Sequence, residues 1–285
     1  MQVVDYGSDW VTLTTAGYFS PESEEAAALR RIVRRDWYGG QTGIETKVWG
    51  WKGYSGLQFG PLSIGARRDG SIVRCTGPAA RLLGRFPWSA EWACTRLDIQ
   101  ATVQLGGADV DAHIRGLEGA ALTARQGGKG RPWSVRLIRG YGDGDALYLG
   151  SRSSALYARV YNKEAESGHE TEYLGCVRYE LELKNGVADR TWWRMLGKTV
   201  GDTLPMEILK TGFEARGVNV PWDGGKCPED WLRHVPRETD AERQLAWLEK
   251  TVGPVVRKLN GQGLLPEVMT ALGLEEHAHG WTPGE

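Results

Sequence analysis

Residues 176–184 alternate without a break, with Val177, Tyr179, Leu181 and Leu183 on one side of the chain and Arg178, Glu180, Glu182 and Lys184 on the other. An α-helix would scatter that pattern around its circumference. A strand, whose successive side chains point to opposite faces, gathers it into one apolar and one charged face. Two other segments read the same way. In residues 156–163, Arg159, Tyr161 and Lys163 fall on one face with Val160 opposite; in residues 94–100, Leu97 and Ile99 oppose Arg96, Asp98 and Gln100. If these strands are neighbours with their charged faces aligned, a tyrosine, several cations and two or three carboxylates converge.

The rest of the chain supplies more strands and, later, helices. Residues 10–15 alternate apolar and hydroxyl side chains, and residues 57–76 read as a hairpin turning at Asp69-Gly70. Strands are also expected over 133–139 and 146–150. Ser20-Pro21 predicts a helix start, with Leu29, Ile32 and Val33 as its buried stripe. A short helix over 78–85 and a longer one through Val110, Ile114, Leu117 and Ala121 follow. Past Asn185-Gly186 the spacing turns helical, over 190–196, 203–216, 240–259 and 264–272. These patterns predict an α+β fold, a mainly antiparallel central sheet flanked by helices, with a helical C-terminal part. Residues 1–221 form the expected main domain, 222–237 a linker rich in Pro, Gly and charge, and 238–285 a helical segment. No internal repeat stands out.

Charge narrows the partners. The whole chain carries a formal net charge of −1, so no overall field draws it to polyanions, and any nucleic-acid surface must be local. Residues 125–163 hold eight Lys or Arg against two acids, whereas residues 223–285 hold seven against eleven. The basic middle makes Lys129, Arg131, Arg136, Arg139 and Arg152 the candidate phosphate contacts. Arg30, Arg31, Arg34 and Arg35 are a second candidate, read first as a solvated helix face. The 13 tryptophans suit base-stacking platforms, although most are expected in core and rim packing. Four scattered cysteines without a Cys-x-x-Cys pair fit a reducing cytoplasm, and no apolar run is long enough to span a bilayer.

The residues on the charged faces suit phosphoryl transfer. A tyrosine hydroxyl, with an ordinary pKa of about 10, needs a nearby positive charge or base to act as a nucleophile at neutral pH, and Arg159 and Lys163 flank Tyr161. Carboxylates such as Asp98 and Glu180 suit Mg²⁺ or Mn²⁺, hard ions that take oxygen ligands.

Three stretches, Leu147-Tyr148-Leu149-Gly150-Ser151-Arg152, Ala158-Arg159-Val160-Tyr161-Asn162-Lys163-Glu164 and Val177-Arg178-Tyr179-Glu180-Leu181-Glu182, resemble the replication initiation factor family. That family includes trans-acting initiators of rolling-circle plasmids and related relaxases of integrative conjugative elements. Thr95-Arg96-Leu97-Asp98-Ile99 and the C-terminal Trp247-Leu248-Glu249-Lys250 are also similar to it, so the resemblance runs over residues 57–274. It implies site-specific nicking of DNA by the tyrosine of the Tyr-Asn-Lys motif, here Tyr161, through a 5′-phosphotyrosine that leaves a free 3′-hydroxyl. It further implies a divalent metal held by Asp98, Glu180 and Glu182, phosphate neutralisation by Arg159 and Lys163, a host helicase as partner and possible dimerisation.

Other motifs fail on their chemistry. His277-Ala278-His279 lies in a polar tail and His113, His169 and His234 are isolated, unlike the His-hydrophobe-His metal site of other relaxases. Gly127-Gly128-Lys129-Gly130 lacks the hydroxyl residue of a phosphate-binding loop, and Asp143-Gly144-Asp145 lacks the glutamate that closes a calcium loop. A conjugative relaxase shares the chemistry; a non-cutting DNA-binding regulator and a tryptophan-rich carbohydrate-binding module are the competing classes.

Overall fold

The structure, a computed structural model, describes residues 1–127, 133–140, 143–196, 203–228, 231–232, 253–264 and 266. The chain divides into two compact units, Met1–His234 and Val235–Glu285. In the second unit the described element is a helix, Gly253–Gly261. The expected helix at 264–272, and residues 240–252 of the helix before it, lie outside the described residues apart from 264 and 266.

The first unit is α+β and built on one antiparallel sheet. Its elements run β1 (Gln2–Thr15), α1 (Glu24–Asp36), β2 (Thr46–Trp51), β3 (Tyr54–Phe59), β4 (Leu62–Arg67), β5 (Gly70–Thr76), a 3-10 helix (Pro78–Arg85) and β6 (Ala93–Gln104). Then come α2 (Val110–Gly127), β7 (Val135–Ile138), β8 (Ala146–Leu149), β9 (Leu156–Asn162), the short α3 (Lys163–Glu166), β10 (Cys176–Lys184), α4 (Asn185–Met195) and α5 (Leu204–Glu214). Ten strands join in the order β2-β3-β4-β5-β1-β6-β10-β9-β8-β7, every pair antiparallel.

That order contains a repeat that the sequence reading missed. A long strand, a helix and four strands occur twice, β1 to β5 and β6 to β10. Outward from the centre the strands read 1-5-4-3-2 on one side and 6-10-9-8-7 on the other, with β1 and β6 paired antiparallel between them. The two halves share their order of elements and their order of strand pairing.

One face of the sheet carries the core. Val11, Leu13, Leu62, Ile64, Val73, Leu97, Ile99, Val160, Leu181 and Leu183 are all buried there, each worth roughly 1.5–3 kcal/mol against exposure. Helix α1 lays Leu29 and Val33 into this core. Its cap is Ser23, whose hydroxyl accepts from Ala26 N at 3.1 Å, three residues later than the expected start at Ser20. Helix α5 approaches closely because Gly212 has no side chain; a Cβ there would stand 2.4 Å from Leu181 Cδ1. The opposite face is left to charged and aromatic side chains. In the hairpin of β4 and β5, Arg67 pairs with Gly70, so the turn centres on Arg68-Asp69.

Tyr179 is buried on the core face among Phe213 and Trp222, and its hydroxyl meets His113 Nε2 at 2.7 Å. Burial holds the His113 imidazole below its ordinary value of 6.5. A folded-state value below the unfolded one means that this stability is complete above about pH 6.5 and is lost as pH falls through the folded value. Thermal melts from pH 8 to pH 5 should therefore fall more steeply for the wild type than for His113→Gln, by up to about 1.4 kcal/mol per pH unit. Parallel melting curves would remove His113 as the cause.

Candidate active site

The site is a product of register. Strands β6, β10 and β9 lie side by side, and their pairing sets three rows across the open face: Asp98, Glu182, Tyr157; then Gln100, Glu180, Arg159; then Thr102, Arg178, Tyr161. Directly opposed residues in such rows are in side-chain contact range. Asp98, Glu180, Glu182, Arg159 and Tyr161 thus come together, drawn from segments as far apart as residues 98 and 182.

Three carboxylates are taken out of water here: Asp98 and Glu180 are each 2% exposed and Glu182 9%. Such burial stands only with paired cations. Arg96 grips Asp98 with both prongs of its fork, Nε–Oδ1 at 2.9 Å and Nη2–Oδ2 at 2.7 Å, and reaches Glu182 at 3.3 Å. Arg159 pairs with Glu180 and lies 4.0 Å from Asp98, and Lys184 meets Glu182 at 2.7 Å. Compensation is incomplete. Desolvation pushes Asp98 upward against the pull of Arg96, and pushes Glu180 up to about 7 against Arg159, with the like charges of Asp98 and Asp9 adding to it.

Tyr161 is half-buried, and its hydroxyl is held above its ordinary value, first by burial and then by the charge of Glu180. The cation that most favours its ionised form is Arg178, its partner across the ladder, with Arg159 second and 6.0 Å from the ring centre. Asn162 fixes the end of this strand: its side-chain oxygen caps α3 by accepting from Ala165 N at 3.0 Å, and its Nδ2 donates to Asp111 at 2.8 Å.

That cap corrects the placement of Lys163. The strand ends at Asn162 and Lys163 opens a helix, so it does not continue the face of Arg159 and Tyr161. Its ammonium pairs with Glu166 and sits 4.8 Å from the Tyr173 ring, whose other neighbour is Arg178. The other tyrosines are placed differently. Tyr148 and Tyr157 stack on each other at 6.0 Å, Tyr157 being 2% exposed, and Tyr179 faces the core.

Among the candidate phosphate contacts, Arg136 is exposed on β7 opposite Tyr148, on the open face, at 5.2 Å from that ring. Arg139 and Arg152 are exposed in adjoining loops. Lys129 and Arg131 lie outside the described residues. Arg30, Arg34 and Arg35 are engaged by the Pro21 carbonyl, the Phe59 ring and Asp36, on a helix packed against the core face, away from the carboxylates.

Among the described residues no three His, Cys, Asp or Glu side chains are gathered closely enough to form a ready metal centre. The donor chemistry nevertheless suits a hard divalent ion, because Asp98, Glu180 and Glu182 are oxygen ligands on adjacent strands that share two guanidinium groups between them. The sequence reading put Arg96 and Arg178 on the charged faces without assigning them roles, although period two alone marked both. Asp9 was invisible to it: the residue sits in a bulge of β1, where pairing jumps from Ser8 to Trp10, and bulges break alternation while re-aiming side chains.

The sequence model of a family described as replication initiation factor matches residues 95–263, well over half of the chain and all three strands of the site. Among solved structures, the rolling circle replication initiator protein from Geobacillus stearothermophilus is similar at 21% identity, covering 67% of this chain and 78% of that one, with a TM-score of 0.46. Curated proteins offer no match to the chain.

Proposed function

The chain belongs to the replication initiation factor family, and from that premise we propose that it starts rolling-circle replication by cutting one DNA strand with Tyr161. Membership makes it a replication initiator, which works on DNA; the cut and its chemistry are the proposal. The observation that carries it is the setting of Tyr161, on the open sheet face, opposite Arg178, beside Arg159 and within the field of Glu180.

The Tyr161 Oη attacks a phosphodiester phosphorus. A bond from Oη to phosphorus forms as the bond from phosphorus to the 3′-oxygen breaks, so the strand ends as a 5′-phosphotyrosine and a 3′-hydroxyl that can prime synthesis. The phenol proton passes to a neighbouring acceptor and the 3′-oxygen takes up one proton. No bond energy is lost to hydrolysis, and the same tyrosine can rejoin the ends. Arg159 and Arg178 neutralise the phosphate, which favours both the phenolate and the more highly charged transition state. Asp98, Glu180 and Glu182 would hold a divalent ion, which when bound polarises phosphate oxygens. Lys163, paired with Glu166 beside the Tyr173 ring, stands at the edge of the site and would reach the phosphate only by leaving that partner.

Supercoiled plasmid carrying the DNA that flanks the gene, incubated with the protein and Mn²⁺, tests this reading. Open circles with a protein-linked 5′ end are expected; a plasmid that stays supercoiled while binding the protein would mark a non-cutting regulator instead.

The basic rim gives a second expectation. Neutralising Arg136, Arg139 and Arg152 together should weaken DNA binding and lower the slope of log affinity against log salt by about one unit per lost phosphate contact. Anisotropy titrations at several salt concentrations read this directly, and an unaltered slope would move the phosphate contacts elsewhere.

A further inference from the structure

The open face does not stop at the carboxylates. In β1 the register partner of Asp98 is Trp10, and the Arg96 guanidinium lies 4.2 Å from the Trp10 ring centre. Beyond Trp10, on β5, Arg74 is set among three indoles, 4.9 Å from Trp49, 5.3 Å from Trp10 and 5.7 Å from Trp51. Trp49 lies down on the sheet because β4 has a glycine beneath it: a Cβ at Gly65 would stand 2.8 Å from Trp49 Cζ3.

The three rings hold the Arg74 guanidinium without neutralising it. A half-buried guanidinium ordinarily meets a carboxylate, as Arg96 and Arg159 do on the same face. Arg74 meets none among the described residues: its buried Nε has no hydrogen-bond partner, and the charge that acts on it is the like charge of Arg96. Strands β2 to β5 contain no Asp or Glu, and their other cations are matched by flanking acids, Lys47 by Glu45 at 3.4 Å and Arg67 by Asp69 at 2.7 Å, so Arg74 is the cation left without one among the described residues. The patch is thus aromatic and cationic, short of an anion, and continuous with the site proposed for cleavage.

We propose that Trp10, Trp51 and Arg74 form a stacking platform for unpaired bases of the DNA strand held at the site, with Arg74 on the phosphate between them. This rests on the reading of the carboxylate face as a nicking site. Flat rings accept any base, and a guanidinium supplies the phosphate contact, so the platform is tolerant of sequence and selective for single strands. Strand β5 is four strand spacings from β9, which carries Tyr161; that is about 19 Å, which at about 3.4 Å per stacked nucleotide sets Arg74 about six nucleotides from the cut.

Metal-free binding of a dye-labelled oligothymidine and of a duplex of equal length, measured by anisotropy and by tryptophan quenching, tests the platform separately from cleavage. Tyr161→Phe should bind the single strand normally whether or not the nicking mechanism holds. Trp51→Ala and Arg74→Gln should each weaken single-strand binding about tenfold or more, reduce the quenching, and leave duplex affinity within about twofold; Trp51→Phe should keep most of the affinity. Circular dichroism establishes that the variants fold. Unchanged single-strand affinity in both variants would overturn the proposal, as would an equal loss for the duplex. Loss of a dimer in Trp51→Ala, seen by sedimentation, would overturn it by assigning the patch to a second copy.

Discussion

Tyr161→Phe is expected to lose strand cleavage by at least about three orders of magnitude and to form no covalent adduct, while its fold and DNA affinity remain those of the wild type. The substitution removes one oxygen from a half-buried ring that the packing of β9 and β10 holds in place, so the stability change should be under about 1 kcal/mol. It also removes the only atom that could bond to phosphorus from that position. The other tyrosines are poor substitutes. Tyr179 points into the core with its hydroxyl on His113, and Tyr157 is closed in against Tyr148. The hydroxyl of Tyr161 is held above its ordinary value by burial and by Glu180, so in the proposed mechanism the cations Arg178 and Arg159 and the arriving phosphate must offset both before the phenol can lose its proton. Arg178→Ala should accordingly slow cleavage more than Arg159→Ala does, because Arg178 is the cation that most favours the phenolate. Peptide mapping of a trapped adduct decides the nucleophile: attachment at any other tyrosine would refute the assignment.

What the chain revealed before its structure was known follows the places where its alternation is unbroken. Strand β10 has nine residues in strict period two, and its limits at Cys176 and Lys184 could be read directly. Strand β6 was read as seven residues and runs to twelve, because Ala101 and Val103 continue the apolar face while Thr102 carries too small a polar group to declare the other. Strand β1 was seen only from Trp10 onward, since shifts of register at Val3/Asp5 and Ser8/Trp10 scramble the pattern before it. Strand β2 and most of β3 were missed altogether: Lys52 and Gly53, both at positive φ, do make the tight turn between them, and Gly50 and Gly56 interrupt the alternation on either side of it. The site shows the same division. Asp98, Arg159, Tyr161 and Glu180 were legible one strand at a time, but no sequence pattern says that β6 and β9 both neighbour β10, and that adjacency is what makes them a site. The tryptophan platform was hidden for both reasons at once.

Replacing Asp98 by Asn and Glu180 by Gln should abolish binding of Mn²⁺ and reduce cleavage by about a hundredfold or more, with little loss of thermal stability. Stability and function separate here because of how the carboxylates are buried. Both are held above their ordinary values by desolvation that Arg96 and Arg159 do not fully offset. For a group whose folded value is raised, the stability it contributes is complete below the unfolded value and is lost as pH rises through the folded one. At neutral pH an ionised Asp98 is therefore a burden on the fold, and its amide, of the same shape, lifts that burden. The cost runs the other way through Arg96 and Arg159, but each guanidinium keeps about a third of its surface in water and retains another carboxylate, Glu182 or Glu180 in the single Asp98 variant. The expected change in melting temperature is within a few degrees for Asp98→Asn. Carboxylates retained at a cost to stability point to a task that needs negative charge, and a divalent ion is the cation that three oxygen donors would serve. Titration calorimetry with Mn²⁺ on the whole protein reads the ion without reference to cleavage: one heat signal in the wild type, absent in both variants, is expected. Full cleavage in the presence of a chelator, or an undiminished heat signal in both variants, would show that these carboxylates hold the arginines in place and bind no metal.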